Sequence, residues 1–171
     1  MRRLGLVAAG VVIAVGGLIA LALAFDARDD APLSGAAEGP GEAQPDRGSG
    51  HGGPAQVDGL PTSGPHRPDL VTRDRRRLTD DQIIHALELG NVVILYEAPE
   101  PDASLLALQD EVAGPFDAEL AAAGQAVILA RRAGAGAATA LAWRRALQAE
   151  DPADPRLLEF TEAWLGRGLG T

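Results

Sequence analysis

Four consecutive aliphatics, Val92, Val93, Ile94 and Leu95, stand out in the middle of the chain. A run apolar on both faces predicts a strand over 91–96 that is covered from both sides. Just upstream, Ile83, Ile84 and Leu87 share one face at ~100° per residue, which predicts a helix over 80–89. Thr79-Asp80-Asp81-Gln82 opens it as a capping box, in which the Thr and Gln side chains each satisfy an amide at the helix start. Both aspartates suit the positive end of the helix dipole, and Gly90 is placed to stop the helix in the left-handed conformation.

Downstream of a Pro99-Glu100-Pro101 turn, Leu105, Leu108, Val112, Phe116 and Leu120 follow helical spacing, with Asp102 or Ser104 as the cap. Gly114-Pro115 must kink that helix or split it, and Gly124 ends it. Val127, Ile128 and Leu129 mark a second buried strand over 125–131. Gly134-Ala135-Gly136 then supplies a tight turn, and 138–143 reads as the returning strand of a hairpin. Asp154-Pro155 caps a last helix with the stripe Leu157, Leu158, Thr161, Trp164 and Leu165, closed by Gly166. The order helix, strand, helix, strand, strand, helix gives an α/β (α+β-like) fold. Its small mixed sheet has about three strands, with three helices packed on it, and the first two strands are parallel with a right-handed crossover.

The N-terminal third has a different pattern. Residues 4–25, from Leu4 to Phe25, are uncharged and apolar, long enough for a transmembrane helix of ~20 residues. A secretory signal has a shorter apolar region of ~7–15 residues, although Ala22-Leu23-Ala24 could serve as a cleavage site. Arg2 and Arg3 orient the span with its N-terminus in the cytoplasm, which places the rest of the chain outside it. Residues 26–57 hold seven Gly and four Pro, with Leu33 and Val57 their only large aliphatics, and are expected to form a disordered linker reaching on the order of 30 Å. The domain plan is an anchor over 1–25, the linker over 26–57 and one extracytoplasmic domain over 58–171.

Composition narrows the chemistry. Net charge is -9 and all 15 cations are Arg, so long-range repulsion argues against a nucleic-acid partner. Asp74 interrupts the Arg73, Arg75, Arg76, Arg77 cluster, which reads as a solvated loop. With no cysteine, disulfides, thiolate ligands and Cys nucleophiles are excluded. Three histidines remain as candidates. His51, between Gly50 and Gly52 in the linker, reads as incidental. His66 follows Pro61, Thr62, Ser63, Gly64 and Pro65, a stretch too rich in Pro and Gly for a helix and therefore a rigid loop. His85 projects away from the core face of its helix, with Glu88 beside it at i+3.

Pro61-Thr62-Ser63-Gly64-Pro65-His66, then the run from His85 through Leu87-Glu88-Leu89-Gly90 to Tyr96, then Ala142-Trp143 and the Phe160 helix, together resemble the bacterial domain-of-unknown-function family 3105 over 60–166. The resemblance implies a single-pass, membrane-anchored protein with its domain outside the cytoplasm, and assigns no activity. The family pattern, Pro-Pro-Thr-Ser-Gly-Pro-His and His-x-Leu-Glu-His-Gly, is broken at Leu60 and at Leu89, where Pro and His are usual. The leading expectation is a non-enzymatic extracytoplasmic binding or interaction module. The alternative is a copper or zinc site using His66, His85 and Glu88, which a ring separation beyond about 8 Å would exclude. A lesser alternative is a hydrolase with Ser63 as nucleophile and a histidine base.

Overall fold

The computed structural model describes residues 39–169. The expected anchor over 4–25 and the first part of the linker lie outside them.

The helix α1, Asp80–Leu89, forms as its sequence dictates. Thr79 Oγ1 accepts from the Gln82 amide and Gln82 Oε1 accepts from the Thr79 amide, both at 3.2 Å, while Gly90 takes φ 114° at the stop. Strand β2, Val92–Tyr96, follows with every residue buried. Gly114-Pro115 does split the next helical stretch, giving α2, Ala103–Ala113, and α3, Ala118–Ala122. Asp102 and Asp117 cap the two. Strands β3, Val127–Arg131, β4, Ala138–Ala142, and β5, Arg145–Ala149, precede the last helix, α4, Pro155–Trp164.

The sheet has five strands rather than about three, because β5 and a short β1, Glu42–Ala43, join it. Its order is β1-β5-β4-β2-β3. The pair β2 and β3 is parallel, with Ile94 opposite Leu129, as the intervening helices require. The expected hairpin between β3 and β4 does not form: β4 crosses to the other side of β2 and pairs with it antiparallel, Ile94 opposite Ala140. A strand buried over its whole length needs partners on both edges as well as cover on both faces, and β2 thereby has them. The true hairpin joins β4 to β5 through Trp143 and Arg144, with Arg144 at φ 57°.

Side-chain alternation sorts two cores. Val92, Ile94, Tyr96 and Leu129 face α2 and α4, where they meet Leu105, Leu157, Phe160 and Trp164. Val93, Leu95, Ile128 and Leu141 face the other way, toward Ile83, Ala86 and Leu87 of α1 and Ala121 of α3. On α4 the buried positions are Leu157, Phe160, Thr161 and Trp164, so Phe160 takes the depth expected of Leu158 and Leu165, which are partly buried.

Residues 39–57 depart from the expectation of a disordered linker. Glu42 pairs with Ala146 on β5, the Gln44 amide donates to the Arg144 carbonyl at 2.9 Å, and Trp164 Nε1 donates to the Pro40 carbonyl at 2.9 Å. No residue from 39 to 60 is buried; main-chain hydrogen bonds hold this strap, and its first residues, Gly39 and Gly41, lie against the Trp164 and Phe160 rings. Composition arguments weigh apolar burial and miss such an anchor.

The end of α1 is fixed by a tight backbone crossing. A Cβ on Gly124, whose φ is 73°, would overlap the Leu89 carbonyl oxygen and lie 2.7 Å from the Leu89 carbonyl carbon. Asn91 reinforces the crossing: its amide nitrogen donates to the Ala86 and Ala121 carbonyls, and its side-chain oxygen accepts from the Ala126 amide. Gly124→Ala is expected to destabilise the domain by about 2–4 kcal/mol, combining left-handed strain with backbone overlap. Denaturant unfolding reads this, and a loss under about 1 kcal/mol would contradict the crossing as described.

Candidate metal centre

Residues Pro61, Thr62, Ser63 and Gly64 are buried although they belong to a loop, Pro65 is exposed, and His66 is fully buried. The strap is what covers this loop. The Gly64 amide donates to the Gly48 carbonyl at 2.8 Å and the His66 amide to the Gly50 carbonyl at 2.9 Å, a two-residue spacing like the rungs of a sheet. Ser63 Oγ donates to the Pro45 carbonyl at 2.9 Å and accepts from the Arg47 amide at 3.0 Å. This pairing brings His51, the residue after Gly50, beside His66, with ring centroids 4.9 Å apart.

Helix α1 supplies the other side. Asp81 Oδ1 accepts from the Ala55 amide of the strap at 2.6 Å and from the Arg67 amide beside His66 at 3.0 Å. One carboxylate thus ties strap and loop to the helix. Burial pushes the Asp81 carboxyl up, but the Arg67 and Ala55 amides outweigh it, aided by the charge of Arg67, and hold it below its ordinary 3.8. Because the folded value is the lower one, the stability Asp81 contributes is complete above the unfolded value and is lost as pH falls through the folded one. Asp81→Ala is therefore expected to lower stability at neutral pH by about 1 kcal/mol, after allowance for solvent screening. In metal-free protein the gap between the thermal midpoints of wild type and variant should close below about pH 4, and a gap unchanged at about pH 3 would contradict the staple.

His85 and Glu88 stand one turn apart on α1, and the loop and strap cover the side on which His85 projects, leaving it 9% exposed. Four donors from three segments meet here. Glu88 Oε2 lies 2.9 Å from His51 Nε2, 3.2 Å from His66 Nε2 and 3.4 Å from His85 Nδ1, and the last two nitrogens are 3.3 Å apart. One ligating atom from each of the four residues lies within 4.8 Å of all the others, a group that could hold a metal ion.

The protonation pattern is constrained. His66 Nδ1 is 3.0 Å from the Gly64 carbonyl oxygen, which can only accept, so Nδ1 carries a proton and Nε2 faces the cluster, presenting a lone pair whenever the ring is neutral. That lone pair faces a carboxylate oxygen at 3.2 Å. Two acceptors this close repel unless a proton or a metal cation lies between them. Burial pushes the His85 imidazole below its ordinary 6.5; the Glu88 carboxylate opposes this, and the positive charge of a protonated His66 or His51 would add to it. A neutral His85 keeps a ring nitrogen available as a ligand.

Of the residues singled out in the sequence, His66, His85 and Glu88 come together, and Ser63 is committed to the strap backbone rather than to a histidine. His51, read as incidental, joins them. The fourth donor, which Leu89 does not provide, thus comes from the strap, 34 residues before His85. No local motif announces it; its one sequence signal is its place in a Gly tract able to lie flat against the loop.

The family model described as Protein of unknown function (DUF3105) matches residues 57–169, a span that contains His66, His85 and Glu88 and leaves His51 outside. No curated protein and no solved structure matches the chain.

Proposed function

The chain belongs to the DUF3105 family, and from that premise together with the donor geometry we propose that it is a metal-binding module holding one divalent ion, Zn(II) or Cu(II), between His51, His66, His85 and Glu88. The observation that carries this reading is the set of donor spacings. A tetrahedral ion with bonds of ~2.0–2.1 Å separates its ligand atoms by about 3.3 Å. Four of the six donor pairs lie close to this value: those involving Glu88 Oε2 run from 2.9 to 3.4 Å and His66 to His85 is 3.3 Å, while all six lie within 4.8 Å. Three imidazoles and a carboxylate suit Zn(II) and Cu(II) as donors, the near-tetrahedral spacing favours Zn(II) over tetragonal Cu(II), and the absence of any thiolate disfavours Cu(I).

Gly64 acts on His66 as an orienting acceptor, fixing the tautomer that leaves Nε2 free to bind. Four protein donors fill a tetrahedral shell, which supports holding or carrying an ion rather than turning over a substrate. The sequence adds the setting: the apolar run 4–25 behind Arg2 and Arg3 supports a single-pass anchor with the domain outside the cytoplasm. Calorimetric titration of metal-free protein tests the reading. One equivalent of Zn(II) should bind in the micromolar range or tighter. A Glu88-centred network of hydrogen bonds with no metal would give no saturable heat.

A further inference from the structure

We propose that the four ligands are unequal, and that His51 is an exchangeable donor whose departure opens one coordination position to an incoming imidazole, water or small anion. This rests on the metal-binding reading and says how that site is loaded and reached.

The first observation is the contrast in burial. The side chains of His66, His85 and Glu88 are 0%, 11% and 13% exposed, whereas that of His51 is 48% exposed. His66 follows a buried loop, and His85 and Glu88 share a helix whose apolar face is in the core. These three are fixed by the fold.

The second observation concerns what carries His51. The strap contributes no buried residue between 39 and 60. Around the histidine it holds to the domain by hydrogen bonds alone: from the Gly64 amide to Gly48, from the His66 amide to Gly50, from the Ala55 amide to Asp81, and between Ser63 Oγ and the backbone of Pro45 and Arg47. Added Cβ atoms at Gly48, Gly50, Gly52 and Gly53 would meet nothing within 4 Å, so this tract presents open space on the side of each absent side chain. Few buried apolar contacts and exposed backbone hydrogen bonds are the marks of a low free energy of local opening.

The exchange requires no redox or covalent step beyond ligand substitution. His51 Nε2 withdraws its lone pair from the ion and the incoming donor supplies another. The ion then remains on His66, His85 and Glu88 with one open position, the arrangement that keeps a metal accessible. Closing the strap restores the filled shell. Metal occupancy and strap closure are consequently coupled: the ion fastens the strap, and a strap that cannot reach it leaves the position to solvent.

The full chain loaded with Co(II), a visible probe for a zinc-type site, tests this. His51→Ala is expected to keep one Co(II), with affinity reduced by at least about 10-fold but far less than in His85→Ala. Its spectrum should change toward that of the wild type when one equivalent of imidazole binds, while His85→Ala loses the ion. Amide hydrogen exchange from Gly48 to Ala55 should slow on metal addition in the wild type and not in His51→Ala. The inference is overturned if His51→Ala loses Co(II) as completely as His85→Ala, if imidazole leaves its spectrum unchanged, or if metal does not protect the wild-type strap. A wild type that binds no Co(II) would instead overturn the metal site itself, and this inference with it, so the two failures are told apart.

Discussion

Replacing His85 with alanine is expected to lower zinc affinity by more than about 100-fold, because loss of a direct ligand costs more than the 10–100-fold typical of its supporting partners. His85 is the ligand to test first: it stands on a capped helix, and its ring projects away from the Ile83, Ile84 and Leu87 face. Alanine is favourable at a helix interior, so α1 itself should persist. Glu88→Gln gives a second view with the side-chain shape retained. It removes the charge that faces all three imidazoles, and affinity should fall by at least about 10-fold. Both variants should retain the circular dichroism of the wild type. Undiminished zinc affinity in either would mean that Glu88 merely accepts hydrogen bonds from its neighbours.

Phe160→Ala should have the largest effect on stability. The ring is fully buried on α4, within the cluster formed by Val92, Ile94, Leu129 and Trp164. A Cβ on Gly41 would lie 2.6 Å from the Phe160 ring, so the strap's first residues rest on the same side chain. Truncation leaves a cavity that the sheet on one side and the strap on the other cannot both fill. The expected loss is about 3–5 kcal/mol, read from denaturant unfolding of the metal-free protein. The metal site lies beyond the opposite face of the sheet, with α1. Zinc stoichiometry should therefore stay at one under conditions where the variant is folded. A loss below about 1 kcal/mol would contradict the placement of Phe160, and loss of zinc by folded protein would contradict the separation of core and site.

The elements legible in the sequence are those whose determinants are local. The Thr79 and Gln82 box, the Gly90 stop and the apolar run of β2 each read correctly from a few neighbouring residues, as does the break at Gly114-Pro115. Elements that depend on distant partners did not. Arg145 to Ala149 has the composition of a helix, and pairing with β4 makes it a strand; its turn, Trp143-Arg144, lacks the glycine that would mark one. Gly134-Ala135-Gly136 marks a turn, but not that the chain beyond it passes over β2 before pairing.

The site divides in the same way. His85 and Glu88 are neighbours by helical spacing, and the rigidity of the loop before His66 follows from Pro61, Gly64 and Pro65. That His66 lies 3.3 Å from His85 follows from Asp81 fastening Arg67 to the helix, a contact across 14 residues. His51 is the least legible member, because main-chain bonds from Gly64 and His66 to the Gly48 and Gly50 carbonyls bring it in and a glycine tract does not encode its own partner. An apolar count sees such a tract as free. A hydrogen-bond count sees a segment tied along a loop.

The central claim is a single ion bound by three imidazoles and one carboxylate. X-ray absorption at the zinc edge of the loaded full chain tests it most directly. The account predicts one tightly held zinc with four ligands at ~2.0–2.1 Å, three of them imidazole nitrogens and one oxygen. A protein that retains no zinc, or a first shell with fewer than two imidazoles, would contradict it.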